Sequence, residues 1–103
     1  MEHESEKLFD IRTPRGSRHF ADILDGNCGW NTTRNRLAAH PGVNVTGYLT
    51  DRVTQAITDF TYRGHEFTID THFGDLLLFV ADPECPNDIL VDVMRIVRQY
   101  SVP

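Results

Sequence analysis

Residues His65 to His72 read HEFTIDTH, an H-E-x-x-x-D-x-H spacing that brings two imidazoles and two carboxylates into one short segment. Those groups are the usual ligands of zinc and other divalent metals. Cys85 stands directly before Pro86 and an apolar-periodic stretch. With Pro86 as the first helical residue, the thiol becomes the N-cap of the last helix, where the positive end of the dipole lowers its pKa and raises its reactivity. A thiol-dependent enzyme or redox protein would pair Cys85 with a base such as His19, His40 or His65. A third chemistry belongs to Arg12, Arg15, Arg18, Arg34 and Arg36, whose grouping in RTPRGSRH and TTRNR offers contacts to phosphate or another anion.

Each of these has a plainer counterpart. In a strand, alternate side chains leave opposite faces, so His65 points one way while Asp70 and His72 point the other, and no metal set converges. No metal and no cofactor is expected. Cys85 as a small apolar filler of a turn needs no catalytic partner. The arginines read equally as a solvated loop face. No P-loop, dinucleotide glycine pattern, nucleophile elbow or EF-hand spacing occurs.

The elements that must hold these residues follow from pattern. At 103 residues the chain has room for one domain and one modest core, with residues 1–16 as a partly flexible segment and 17–103 as the domain. Ser17 caps a short helix in which Phe20, Ile23 and Leu24 share a face and Gly26 ends it, and a second short helix runs from Thr33 to His40 before Pro41. Val43 to Leu49 form a weak strand, and Gln55 to Tyr62 a better one. With Arg63-Gly64 as a two-residue turn, Tyr62 faces His65, Phe60 faces Phe67 and Thr58 faces Ile69. With Phe73-Gly74 as the next turn, His72 faces Asp75, Ile69 faces Leu78 and Phe67 faces Val80. Two turns placed independently give one face, built of Phe60, Phe67, Ile69, Leu76, Leu78 and Val80. Then DPECPND breaks the chain, and Ile89, Val93, Ile96, Val97 and Tyr100 make one helical stripe, flanked by Leu90 and Met94, to cover that face. The expected fold is α+β: a two-layer sandwich of a three- to four-stranded antiparallel meander, short N-terminal helices and an amphipathic C-terminal helix on the sheet.

Charge narrows the function. The net charge is −5, and Val53 to Pro103 carry three Lys/Arg against eight Asp/Glu, which disfavours strong nucleic-acid binding. The longest apolar run, Leu76 to Ala81, is too short for a membrane span, and MEHESEKLFD lacks the basic start and apolar middle of a secretory signal, so a soluble, cytoplasmic protein is expected. Cys28 and Cys85 form neither a CxxC pair nor a disulfide framework.

The register leaves Ile57, Asp59, Thr61, Glu66, Thr68, Asp70, Leu77 and Phe79 on the sheet face away from the closing helix. Ile57, Leu77 and Phe79 need a cover there. Either the N-terminal residues Phe20, Ile23, Leu24, Trp30 and Leu37 supply it, or those residues pack beside the C-terminal helix and Leu77, Phe79 and Ile57 become a homodimer or partner interface. The function expected first is therefore a small non-enzymatic interaction or assembly module. The Cys85 enzyme and a weak RNA or phosphate binder using the five arginines are the alternatives.

Overall fold

The computed structural model describes residues 8–23, 30–50, 55–72 and 75–101. Its elements are β1 (Ile11–Arg12), β2 (Arg18–Ile23), α1 (Trp30–Ala38), β3 (Val43–Thr50), β4 (Gln55–Tyr62), β5 (His65–His72), β6 (Asp75–Val80) and α2 (Asn87–Ser101). The strands form one antiparallel sheet in the order β1-β2-β6-β5-β4-β3. β1 and β2 lie at one edge, α1 leads to β3 at the other edge, and the β4-β5-β6 meander returns until β6 meets β2.

The meander has the register that the two turns imply. Tyr62 pairs with His65, Phe60 with Phe67 and Thr58 with Ile69 across β4 and β5. Phe67 pairs with Val80, Ile69 with Leu78 and His72 with Asp75 across β5 and β6. Arg63 and Gly64 both have positive φ, 52° and 81°, the mirror-image turn whose twist matches that of the flanking strands. Phe73 and Gly74 lie outside the described residues. The expected core face is buried at all six positions, Phe60, Phe67, Ile69, Leu76, Leu78 and Val80.

Two expectations are corrected at the N-terminal side. Residues 18–23 are not a helix: they form β2, which pairs with β6 from Arg18↔Val80 to Ile23↔Leu76. The register shifts between His19 and Ala21, and this bulge buries the consecutive pair Phe20 and Ala21, with Ile23 two positions on. A strand interrupted by one extra residue therefore shows apolar residues three apart, the spacing of a helix face. The second correction is the strand count, which is six among the described residues, because β1 and β2 extend the sheet beyond β6. Gly26 and Leu24 lie outside the described residues. The second short helix does exist, as α1, beginning earlier than Thr33 and ending before His40, whose amide bonds back to the Leu37 carbonyl at 3.0 Å.

Both helices lie on one side of the sheet. Leu37 of α1 joins Leu90, Val93, Met94 and Val97 of α2 in a cluster with Phe20, Phe60, Phe67, Leu78 and Val80. Val93, Ile96 and Val97 of the expected stripe are buried, and so are its expected flank residues Leu90 and Met94, which with Val93 and Val97 make the most buried stripe, at i, i+3, i+4 and i+7, while Ile89, expected as the first residue of the stripe, is only partly buried. The Pro86 carbonyl accepts from the Ile89 and Leu90 amides at 3.1 and 3.3 Å, so Pro86 itself caps the helix and Cys85 precedes the cap.

A polar tie joins the two layers. The Tyr62 hydroxyl donates to Asp92 Oδ2 of α2 at 2.8 Å, and this bond, aided by burial and by the Asp92 charge, raises the phenol pKa above its ordinary value of 10.0. A folded-state pKa that is raised gives stability complete below the unfolded value and lost as pH rises through the folded one. Wild type should therefore exceed Tyr62→Phe in stability at neutral pH, and urea denaturation should show that margin shrinking above about pH 10. A margin that stays constant into strong alkali would show that the phenol does not donate to Asp92.

Candidate functional site

With both helices on one side, the other side of the sheet carries no helix among the described residues. Phe20, Ile23 and Leu37, expected to cover Leu77 and Phe79, are buried in the opposite layer instead; Leu24 and the Trp30 side chain lie outside what the structure describes. Leu77 and Phe79 are half-buried. The cover that Phe79 has comes from His19, which the β2 bulge sets directly across from it. The His19 and Phe79 rings stack with centroids 4.9 Å apart, and Phe9 meets His19 edge-on at 5.4 Å. At its far end the imidazole is held by Asp22 Oδ1, 2.5 Å from Nε2.

Beside this aromatic stack lies a groove of about 670 Å³, within the usual range of ligand sites. Its floor is a row across the sheet, Asp59↔Thr68 and Thr68↔Phe79, flanked by Thr61↔Glu66. One wall is the β1-β2 turn, contributing Thr13, Arg15 and Ser17. That turn is closed on itself: Thr13 Oγ1 and Ser17 Oγ are 2.7 Å apart, and Gly16 takes the positive φ of 89° that the reversal needs. The opposite wall is Thr46, at the irregularity between Val45 and Gly47 in the β3-β4 register. Bulges recur beside binding sites because they re-aim a side chain. Gly47 matters next to it, since a Cβ there would come within 3.2 Å of Asp59 Oδ2.

The remaining candidate residues lie apart from the groove. Cys85 is 3% exposed and belongs to the core cluster beneath the sheet, whereas His19 stands on the open face. Its thiol pKa is pushed up, by burial first and then by the Asp82 and Asp88 carboxylates, with Arg18 opposing. A dipole-activated thiol draws no support from this placement, because Cys85 precedes the cap and is desolvated. In a Cys28→Ser background Cys85 should react with iodoacetamide more slowly than free cysteine at neutral pH; a faster reaction would mean that the thiol is accessible and ionised. Among the described residues no group of three His, Cys, Asp or Glu side chains is placed to hold a metal.

The arginines divide. Arg12 pairs with Asp10 at 2.7 Å and Glu84 at 3.4 Å; Arg18 is buried and donates to the Phe9 carbonyl at 2.8 Å; Arg15 lines the groove. Arg34 and Arg36 sit on α1, which packs against β3 at the far edge, and Arg34 lies over the Tyr48 ring at 4.1 Å. They do not form one anion patch with the first three. Of the expected interface residues, Phe79 floors the groove, while Leu77 and Ile57 lie in the next row on either side of Asp70. Leu49, paired with Ile57, is 69% exposed and extends that row to the sheet edge.

His19, Phe9, Thr46 and the 13–17 turn were not expected here. Once residues 18–23 are read as a strand, His19 falls opposite Phe79, and that would have been the signal. No protein-family model matches the chain, no curated protein matches it and no solved structure does. No helix among the described residues is long and apolar enough to cross a membrane.

Proposed function

We propose that the protein is a small, non-enzymatic, cytoplasmic recognition module that binds its partner on the open face of the sheet. The observation that carries this reading is the groove over Phe79: an aromatic floor with threonine and carboxylate groups set around it, between a self-closed turn and a bulged strand. Such a mixture of one apolar surface and a few placed polar groups is how binding sites orient a ligand. The alternative of a thiol enzyme has no support from a buried Cys85 with a raised pKa.

The test is a fragment screen followed by amide chemical-shift mapping on the isotopically labelled protein. Fragments that bind should move the amides of Thr46, Thr61, Thr68 and Phe79 together. If binders instead collect around Cys85 or α2, or if none moves the open face at millimolar concentration, the reading is wrong. Leu49 favours a second use of the same face, self-association through the row Leu49, Ile57, Leu77. Sedimentation of wild type and Leu49→Lys at high concentration checks it: a dimer lost in the variant supports it, and a monomeric wild type rules it out.

A further inference from the structure

We infer that the groove takes a positively charged side chain, the ammonium or guanidinium of a lysine or arginine in an extended segment of a partner protein. This rests on the groove being the recognition site and names what it recognises. The pairing Asp59↔Thr68 and Thr61↔Glu66 puts the two carboxylates on diagonal positions of neighbouring strands, with the two threonines completing the square. Diagonal neighbours on one sheet face are roughly 7–8 Å apart, a gap that a cation between them can bridge. The Thr68 hydroxyl donates to Asp59 Oδ1 at 2.7 Å, so its oxygen and the carboxylate present acceptors to the groove, the complement of an ammonium with three donors and no acceptor. Phe79 lies next to Thr68 in the same row. An aromatic surface there suits the methylene stem of a lysine or the plane of a guanidinium.

The wider field points the same way. The chain's net charge of −5 adds to the two groove carboxylates. Among the described lining residues Arg15 is the one Lys or Arg, and it sits on the turn side. A phosphate or carboxylate ligand would have to approach Asp59 and Glu66, both exposed, at a cost that a cationic ligand does not meet. Gly47 preserves the arrangement, because a side chain in its place would press on the Asp59 carboxylate.

The experiment titrates the full chain, followed by amide shifts, with three capped heptapeptides alternating alanine with lysine, glutamine or glutamate. The lysine peptide is expected to shift Thr61, Glu66, Thr68 and Phe79 saturably. Its affinity should fall at least fivefold in Asp59→Asn/Glu66→Gln, an isosteric exchange at exposed positions that keeps an acceptor for Thr68, and fall again when salt is raised from about 0.05 to about 0.5 M. Arg15→Ala should leave binding equal or tighter. Equal binding of the glutamine peptide, tighter binding of the glutamate peptide or of a short oligouridylate, or an unchanged affinity in the double variant overturns the inference. So do shifts spread over every surface carboxylate, or no shifts at all. If an uncharged or acidic peptide occupies the same amides, the groove remains a binding site and only the cation is wrong; if fragments and peptides both miss it, the recognition reading fails as well.

Discussion

Phe20→Ala is expected to lower the unfolding free energy by about 3–5 kcal/mol, the largest loss of any single truncation proposed for this chain. The ring is fully buried, 0% exposed, and meets Phe67 edge-on at 6.0 Å between centroids. It also occupies the bulge that joins β2 to β6, so the space left by its removal sits where the backbone is already irregular and pairing cannot simply slide to close it. Against a total of about 5–15 kcal/mol for a domain of this kind, the variant should be marginal. Urea denaturation monitored by circular dichroism measures it as a lowered midpoint with an unchanged slope. A loss below about 1 kcal/mol would mean that Phe20 faces water, as it would on a surface helix.

Leu90→Ala comes next, with an expected cost of about 2–5 kcal/mol, set against no more than about 1 kcal/mol for Ile89→Ala. The contrast depends on helix phase. Pro86 caps α2, and Leu90 is 0% exposed within the cluster, while Ile89 packs at its margin. A rotation of α2 by about 100°, the angle between successive residues, would carry Ile89 to the place that Leu90 holds. Equal costs, or a larger one at Ile89, would show that α2 lies on the sheet in a different rotation. Both variants keep helix propensity high, so the difference reports packing.

How far this architecture is legible in the chain differs by element. The β4-β5-β6 meander is fully readable, because alternation in QAITDFTY, HEFTIDTH and DLLLFV and the Arg63-Gly64 turn constrain one another: a slip of one residue would turn Phe60, Phe67 and Leu78 out to water. The closing helix is readable in existence and only approximately in phase, since Ile89 and Leu90 differ little as letters and the choice between them is made by packing against the sheet and α1. β2 is misread because its bulge produces helical spacing in a strand, and β1 is too short to show a period at all. The groove is half legible. Phe79, Asp59, Glu66, Thr61 and Thr68 fall on one face as soon as the register is known. Its walls come from two irregularities, the Thr46 bulge and the 13–17 turn, which depend on long-range pairing. The contribution of His19 is hidden for the same reason as β2.

The Asp22-His19-Phe79 arrangement illustrates how packing on the open face differs from that beneath it. On the helix side, Phe60 and Phe67 stack at 5.4 Å and are sealed under α2. On the open side the His19-Phe79 stack leaves Phe79 half-exposed. An aromatic pair kept partly in water contributes less to folding than a buried one and keeps surface available for a ligand.

The unfolding midpoint of Phe79→Ala, measured with and without the strongest groove-binding fragment, tests the central claim most directly, because a ligand that binds only the folded state raises that midpoint. Wild type should show the rise. The variant, which removes a half-buried ring, should lose only about 1–2 kcal/mol of its unliganded stability and show no rise. A variant that loses about 3–5 kcal/mol would place Phe79 in the core, and a variant that keeps the full ligand-induced rise would show that the groove over Phe79 is not where the protein binds.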